Sequence, residues 1–202
     1  MNDVVIPLSA GPQTKWTLTA SGHHVWYLDP WQTPILDEDI FLGLREVRYN
    51  GYIYVNVLLH SCLCVLLARY YNYPRSYLPY VACHDLHEAY VKDITSAMKQ
   101  VLPEYKERIE LPWSGRVHAN YGLDLPMIGS DVEKAVKFVD DRALVVEVTA
   151  EDFTPLIPYT LRKGKPDPRE PARQDELDIY FQAKSKPALA QWRVVARALG
   201  AK

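Results

Sequence analysis

The sequence predicts a mainly α-helical fold with a small β-hairpin near the N-terminus. Between residues 55 and 148, several segments carry apolar residues at the spacing of one helix face. Between residues 16 and 28, two runs rich in strand-forming residues flank Ser21-Gly22, a pair that favours a turn. The length of 202 residues is enough for one large domain with a substantial core, or for one domain with extensions.

The first elements in chain order are an arm, the hairpin and a short helix. We expect residues 1–14 to form a loosely held arm and residues 16–28 to form the hairpin. His23 and His24 stand beside its turn, and we interpret them as surface residues. Acidic residues at the start of Asp37–Tyr49 predict a short helix there.

The segment Val55–Tyr71 is the most hydrophobic of the chain and predicts a central helix. It contains His60, for which two interpretations stay open. A histidine in a core can be satisfied by a backbone carbonyl, or it can bind a metal. The Tyr/Pro-rich turn from Tyr70 to Pro79 leads back into the next helix, so the two helices should be antiparallel. That arrangement can bring His60 and His84 to the same depth in the core.

The segment Pro79–Val91 predicts a helix that carries His84, Asp85 and Glu88. At spacings of three and four residues, these side chains can face one cavity. Burying an imidazole and two carboxylates is costly unless positive charge lies opposite, and a divalent metal supplies that charge. The alternative is a solvated His-Asp pair on the surface.

Shorter elements follow before the last long helix of the core. Thr95–Val101 predicts a short helix, and another begins in Pro103–Ile109. The segment Leu111–Met127 contains two prolines and two glycines, so we expect a loop or a broken helix.

The segment Ser130–Val148 predicts a strong helix, with Ser130 as N-cap and Glu133 completing a capping box. Asp140 falls within its apolar face and therefore needs a partner, whereas the neighbouring Asp141 should point outward into solvent. Glu147 lies two turns after Asp140 on nearly the same face, where it can accept a hydrogen bond from a ligand side chain.

From Glu151 onward, prolines and charges become frequent, particularly in Arg162–Arg173. We interpret that basic run as a solvated connection, although contact with phosphates or with a partner subunit is an alternative. Pro187–Leu199 predicts a final amphipathic helix that packs back on the core. The expected organisation is an arm and hairpin (1–35), a helical core (36–150) and an extension (151–202).

Composition excludes several classes of function. The 23 basic and 25 acidic residues give a formal charge of -2, which argues against stable binding of nucleic acid. The longest apolar stretch, Val57–Ala68, is too short for a membrane span. Cys62, Cys64 and Cys83 form neither a CxxC pair nor an even disulfide set, so we expect buried thiols. Without a secretory signal at the N-terminus, a cytoplasmic location is expected.

The order His60, His84-Asp85, Asp140 is the H…HD…D pattern of HD-domain phosphohydrolases, and the chain resembles them over roughly residues 20–150. HDLHEAYVKDITSAMK resembles the HDxxExxxxD(I/L)xxxxK run of the 5′-deoxynucleotidase branch. VKFVDDRALVVE resembles the VKxxD helix of that branch. Small phage-type HD hydrolases, including dATP triphosphohydrolases, carry stretches similar to SGHHVWYLDP and to the later DI, RYNG and HS. The resemblance implies an HD-domain helical bundle.

The resemblance also implies a metal centre. His60, His84, Asp85 and Asp140 would hold one divalent transition metal, for which Co, Mn, Zn, Fe or Ni suits imidazole and carboxylate ligands. The metal would polarise a phosphoryl oxygen and help generate the attacking hydroxide. Additional Mg could accompany the substrate phosphates.

The same resemblance implies roles for further residues. Glu88 and Asp93 match the acid/base and water-orienting carboxylates of the branch, and an unligated carboxylate beside a metal can take a proton from water. Lys99 matches a basic position that neutralises phosphate. Arg48 and Tyr49 correspond to an Arg-aromatic pair that holds phosphate and stacks the base.

The function implied is metal-dependent hydrolysis of a small-molecule deoxynucleotide. A dNTP triphosphohydrolase that prefers dATP and releases triphosphate is the first expectation. The alternatives are a 5′-deoxynucleotidase acting on dNMPs, an HD hydrolase of cyclic or signalling nucleotides, and a non-catalytic HD interaction module. Similar proteins form dimers or larger rings, which implies a homo-oligomer (dimer or hexamer). The compartment would be the host cytoplasm if a phage encodes the chain.

Overall fold

The computed structural model describes residues 16–48, 55–151 and 170–200, and within these ranges the protein is mainly helical, as predicted. One antiparallel hairpin joins β1 (Trp16–Leu18) to β2 (His24–Trp26), with Thr17 opposite Val25. The helices are α1 (Asp37–Glu46), α2 (Val57–Tyr70), α3 (Leu78–Cys83), α4 (Glu88–Val91), α5 (Ser96–Val101), α6 (Pro103–Tyr105), a π-helical segment (Lys106–Glu110), α7 (Leu111–Asn120), α8 (Asp131–Ala150), α9 (Gln174–Lys184) and α10 (Ala188–Ala198). None of the helices in these ranges combines the length and apolar character needed to cross a membrane.

Helix α2 is the centre of the fold, which confirms the prediction for this segment. Most of its residues are buried, and α1, α3, α8, α9 and α10 all pack against it. Asn56 caps its N-terminus, and the Asn56 side chain accepts a hydrogen bond from Leu59 N at 2.9 Å. Because α2 is enclosed on nearly every side, His60 within it is fully buried.

The hairpin and α1 are held together by side chains. Asp39 on α1 accepts hydrogen bonds from Ser21 N at 2.9 Å and from Ser21 Oγ at 2.7 Å. His23 and His24 are exposed, as predicted. Helix α1 ends at Glu46, earlier than the predicted Tyr49, because Val47 has extended backbone and Arg48 pairs with Asn56 as an antiparallel bridge.

Helix α1 approaches α4 very closely at Gly43. A Cβ atom at Gly43 would lie 2.7 Å from Ala89 O and 2.8 Å from Ala89 Cβ, which is closer than van der Waals contact allows. Glycine is therefore required for this packing. The contact holds α4, which begins at Glu88, in place against the core.

The predicted continuous helix Pro79–Val91 is wrong, because residues 84–87 form a turn between α3 and α4. His84 Nδ1 lies 2.7 Å from Val81 O, the carbonyl that residue 85 would use in an uninterrupted α-helix. The turn is tightened by bonds that span three residues, from Glu88 N to Asp85 O and from Tyr90 N to His87 O, both at 3.0 Å. The imidazole thus competes with the helical backbone for its acceptor.

The segment Leu111–Met127, expected to be a loop or a broken helix, begins with the regular helix α7. Pro112 lies in its first turn, directly after the π-helical segment in which Leu111 N donates to Lys106 O. A wider turn of this kind accommodates a residue that has no N–H to donate. Burial of Trp113 and Val117 then holds α7 against the core.

Helix α8 begins as predicted, with Ser130 Oγ accepting from Glu133 N at 3.1 Å. The predicted final helix is confirmed as α10, whereas α9 was not predicted. Most of the basic run Arg162–Arg173, like the arm of residues 1–14, lies outside the described residues.

A buried ion pair joins α8 to α9, and we call it the Arg142 clasp. Arg142 Nε donates to Glu176 Oε1 at 2.7 Å, and Arg142 Nη2 also contacts Glu176 Oε2. The guanidinium donates further to Glu170 O at 2.7 Å and to Pro171 O at 3.1 Å. Tyr71, the residue after α2, donates to Glu176. The clasp thus consists of Arg142, Glu176, the Tyr71 hydroxyl and two backbone carbonyls.

Candidate metal centre

Three separate parts of the chain bring the four predicted metal ligands together. His60 comes from α2, the His84-Asp85 pair from the turn between α3 and α4, and Asp140 from α8. One nitrogen or oxygen atom of each lies within 4.8 Å of the corresponding atoms of the other three. The group can therefore hold a metal ion.

The separations between these atoms match those of neighbouring ligands on one ion. His60 Nε2 lies 3.3 Å from Asp140 Oδ1 and 3.7 Å from Asp85 Oδ2, and His84 Nε2 lies 3.1 Å from Asp85 Oδ2. Ligand atoms bound at about 2.0–2.2 Å around a tetrahedral ion are about 3.3–3.6 Å apart. The four residues therefore fit a transition metal with little movement.

Both imidazoles are oriented by a bond to their other nitrogen. His60 Nδ1 lies 3.0 Å from Glu147 Oε1, as the sequence predicted, and His84 Nδ1 lies 2.7 Å from Val81 O. A carbonyl or carboxylate that accepts from Nδ1–H leaves Nε2 with its lone pair, which is the usual arrangement for a metal-binding histidine. His84 Nε2 is buried and faces Asp85 Oδ2 at 3.1 Å without the geometry of a hydrogen bond.

The centre carries an excess of negative charge. Burial lowers the pKa of His60, but the neighbouring Cys64, Glu147 and Asp140 together outweigh burial, and the pKa lies well above its ordinary value. Burial raises the pKa of Asp140, but the hydrogen bond with His60 and the nearby positive charges together outweigh burial and lower it. The carboxylates thus favour positive charge at this point, as protons on the imidazoles or as a bound cation.

Glu88 lies beside the ligands and is itself buried, with 4% of its surface exposed. Its Oε2 has no hydrogen-bond partner within the described ranges. Burial, together with the charges of Asp85 and Asp93, holds the pKa of Glu88 well above its ordinary value. A carboxylate of this kind can accept and release a proton closer to neutral pH.

Two lysines lie near the carboxylates. Lys99 Nζ is 2.8 Å from Glu110 Oε2. Burial lowers the pKa of Lys99, but the ion pair with Glu110 and the charges of Glu88 and Asp85 together raise it. Lys137, which was not selected from the sequence, lies 3.7 Å from Asp140 Oδ2. Asp141 was expected to be solvated, but it is half-buried and pairs with Lys137 at 3.5 Å.

The predicted substrate pair falls at the edge of the described residues. Arg48 is exposed, and its backbone bridge to Asn56 places it at the start of α2. His60 N donates to Asn56 O at 3.1 Å, so this bridge lies one helical turn before the metal ligand. Tyr49 lies outside the described residues.

Three side chains near the ligands were not predicted from the sequence. Cys64 Sγ lies 3.5 Å from His60 Nε2, and the signal was its spacing of four residues from His60 on a helix. Burial lowers the pKa of His87 to about 4, which keeps this imidazole neutral. Burial also lowers the pKa of His118, whose Nδ1 lies 2.8 Å from Ser114 O. As predicted, the three cysteines are free and buried.

Comparison with known proteins yields one weak relative. No family model matches the chain. The chain is 31% identical over 120 residues to the uncharacterized protein YfdR of Escherichia coli (strain K12). The match covers 58% of this chain and 64% of the relative, so the chain spans less than two thirds of the relative's length.

Proposed function

We propose that the protein is an HD-type, metal-dependent phosphohydrolase that acts on deoxynucleotides. The observation that carries the proposal is the convergence of His60, His84, Asp85 and Asp140 within 4.8 Å of one another from three separate parts of the chain. Their order along the chain, H…HD…D, is also the order of the HD-domain pattern.

The residues around the centre suit hydrolysis of a phosphate ester. A bound divalent ion would polarise a phosphoryl oxygen and lower the pKa of a bound water. Glu88, buried and with an unpaired oxygen, would take the proton from the attacking water. Asp93, half-buried and close enough to raise the pKa of Glu88, would orient that water. A purely structural metal site has no need for such unligated acids.

The basic residues favour a substrate with several phosphates. Lys99 and Lys137 each lie close to a carboxylate of the centre, and Arg48 lies at the start of α2. Together with an accompanying Mg²⁺ ion, they would offset the charge of a triphosphate. We therefore propose a dNTP triphosphohydrolase, with dATP as the preferred substrate, that yields deoxynucleoside and triphosphate.

The test is a substrate screen with resolved products. Purified protein would be incubated with Mn²⁺, Co²⁺ or Mg²⁺ and each dNTP or dNMP, and the products separated by chromatography. Free triphosphate is the expected product. Orthophosphate from dNMPs would instead identify a 5′-deoxynucleotidase, and metal binding with no product would identify a non-catalytic module.

A matched pair of variants separates this activity from contamination. Asp140→Asn removes a proposed ligand, whereas Asp131→Asn changes an exposed aspartate on the same helix. We expect loss of hydrolysis in the first and wild-type hydrolysis in the second. Equal turnover in both would contradict the proposed site.

A further inference from the structure

Cys64 places a sulfur beside the same imidazoles that face the aspartates. Its Sγ lies 3.5 Å from His60 Nε2, and one ligand atom each of His60, Cys64 and His84 lie within 4.8 Å of one another. Because His60 Nδ1 is engaged by Glu147, the nitrogen that faces the sulfur is the one that faces Asp140. The sulfur and the carboxylate therefore lie beside the same ring nitrogen.

The distance to this sulfur suits a shared metal ion. Zinc binds imidazole nitrogen at about 2.0–2.1 Å and thiolate sulfur at about 2.3 Å, so a tetrahedral ion separates the two ligand atoms by about 3.5 Å. The observed distance from Cys64 Sγ to His60 Nε2 is 3.5 Å. Two groups of ligand atoms thus share both imidazoles: one is completed by Cys64, the other by Asp85 and Asp140.

We propose that the centre has two overlapping ligand sets and that the softness of the ion selects between them. Soft ions such as Zn²⁺ and Cd²⁺ bind His60, His84 and the thiolate of Cys64, whereas Mn²⁺ binds the imidazoles with Asp85 and Asp140. When a soft ion binds, the Cys64 S–H bond breaks, the sulfur–metal bond forms and the proton leaves to solvent. This inference rests on the proposed metal centre.

The set completed by sulfur would draw the ion away from the carboxylates. A bound water would then lie farther from Glu88 and Asp93, the residues proposed to deprotonate and orient it. We therefore expect Cd²⁺ to occupy the centre without supporting hydrolysis and to inhibit the Mn²⁺-loaded protein. Loss of Cys64 should relieve that inhibition.

Cys62 provides a matched control on the same helix. It is buried like Cys64. No metal-ligand group formed by the described residues includes Cys62. A Cys62→Ser variant should therefore bind metals as the wild type does.

The experiment is a titration of the metal-free protein with Cd²⁺, followed by ultraviolet absorption. We expect a thiolate-to-metal charge-transfer band that saturates at one equivalent, remains in Cys62→Ser and disappears in Cys64→Ser. Cd²⁺ affinity should fall at least ~10-fold in Cys64→Ser, the lower end of what loss of even an indirect partner costs. Cys64→Ala serves as a second variant. The presence or absence of the sulfur band in the wild-type spectrum tests the inference without relying on either variant.

The outcomes distinguish this inference from the proposed function. Stoichiometric Cd²⁺ binding without a sulfur band, or a band that survives in Cys64→Ser, overturns the role of Cys64 while Mn²⁺-dependent hydrolysis can stand. If the protein shows a Cys64-dependent band but hydrolyses no nucleotide with any ion, the sulfur set is supported and the proposed enzymatic activity is contradicted. If no ion binds, both fail.

Discussion

Two buried charged clusters share α8, and they differ in whether their charges are matched. In the Arg142 clasp, Glu176 is fully buried and accepts hydrogen bonds from Arg142, from Tyr71 and from Arg173 N. In the metal centre, Glu88 is also buried, but one of its oxygens has no partner among the described residues. A cluster whose polar groups are all paired needs no further partner, whereas one with an unpaired buried oxygen can take up a proton or face a ligand.

The two glutamates show this difference in their protonation. Burial raises the pKa of Glu176, but the hydrogen bonds from Arg142, Tyr71 and Arg173 N together outweigh burial and lower it. Burial likewise raises the pKa of Glu88, and the neighbouring Asp85 and Asp93 raise it further. Loss of the Glu88 charge should therefore not destabilise the metal-free protein, whereas loss of a charge from the clasp should destabilise it.

Asp85→Asn should abolish metal binding and hydrolysis together while leaving the metal-free protein folded. The substitution removes one ligand and one of several crowded carboxylates. In the wild type, Mn²⁺ at 100 times its Kd should stabilise the fold by about 2.7 kcal/mol, and in the variant this gain should vanish. Thermal unfolding with and without Mn²⁺ measures it. A variant that Mn²⁺ still stabilises would contradict the ligand assignment.

Glu88→Gln should lower kcat by about 10²- to 10⁴-fold with the metal still bound, because it removes a general base without removing a ligand. Metal content and turnover of the same sample measure the two effects. Glu104→Gln, an exposed glutamate, is the control. Loss of the metal together with activity would show instead that Glu88 is a ligand.

The same variant should change how the stability of the metal-free protein depends on pH. The folded pKa of Glu88 lies above its unfolded value, so the folded state binds more protons between the two. The contribution of Glu88 to the free energy of unfolding is fully present below its pKa in the unfolded state. It is lost as the pH rises through its pKa in the folded state. Urea unfolding of wild type and Glu88→Gln across that range should show a smaller loss in the variant. Parallel curves would contradict the raised pKa.

Arg142→Met should cost about 3–5 kcal/mol of unfolding free energy, because it leaves Glu176 buried without its cation. Lysine should not restore the stability, since it cannot form the paired bonds of a guanidinium. Urea unfolding measures the loss, and Arg193→Met, at an exposed position, is the control. A loss below ~1 kcal/mol would mean that the clasp is not the structural cluster described here.

Glu147→Gln should weaken Mn²⁺ binding by about 10- to 100-fold without abolishing it, because the glutamate orients His60 and does not bind the ion. A Mn²⁺ titration followed by calorimetry measures the affinity. Complete loss of binding would place Glu147 among the ligands, and an unchanged Kd would remove its orienting role.

The same contrast explains what the sequence could predict. The ligands His60 and Asp140 were predictable because each is a polar residue in an apolar helix face, and such residues need a partner. The turn at residues 84–87 was not predictable, because the spacing of His84 and Glu88 also suits a helix. The helix is interrupted where the His84 imidazole contacts the Val81 carbonyl.

Helix α9 and the role of Cys64 escaped prediction for related reasons. The first turn of α9 is held by Arg142, a residue that is distant in sequence and whose position depends on the folded core. Cys64 resembles any small apolar residue of α2 until the orientation of His60 is known. For α9 the deciding contact is tertiary. Cys64 lies one helical turn from His60, but which nitrogen it faces depends on the bond from His60 to Glu147, a residue distant in sequence.

The most direct measurement is anomalous diffraction from crystals grown with Mn²⁺. The account predicts one anomalous peak about 2.0–2.2 Å from His60 Nε2, His84 Nε2 and one carboxylate oxygen each of Asp85 and Asp140. It also predicts that the peak disappears in Asp140→Asn. A peak built from other residues, or no peak between these four side chains at saturating Mn²⁺, would contradict the metal centre and the function proposed from it.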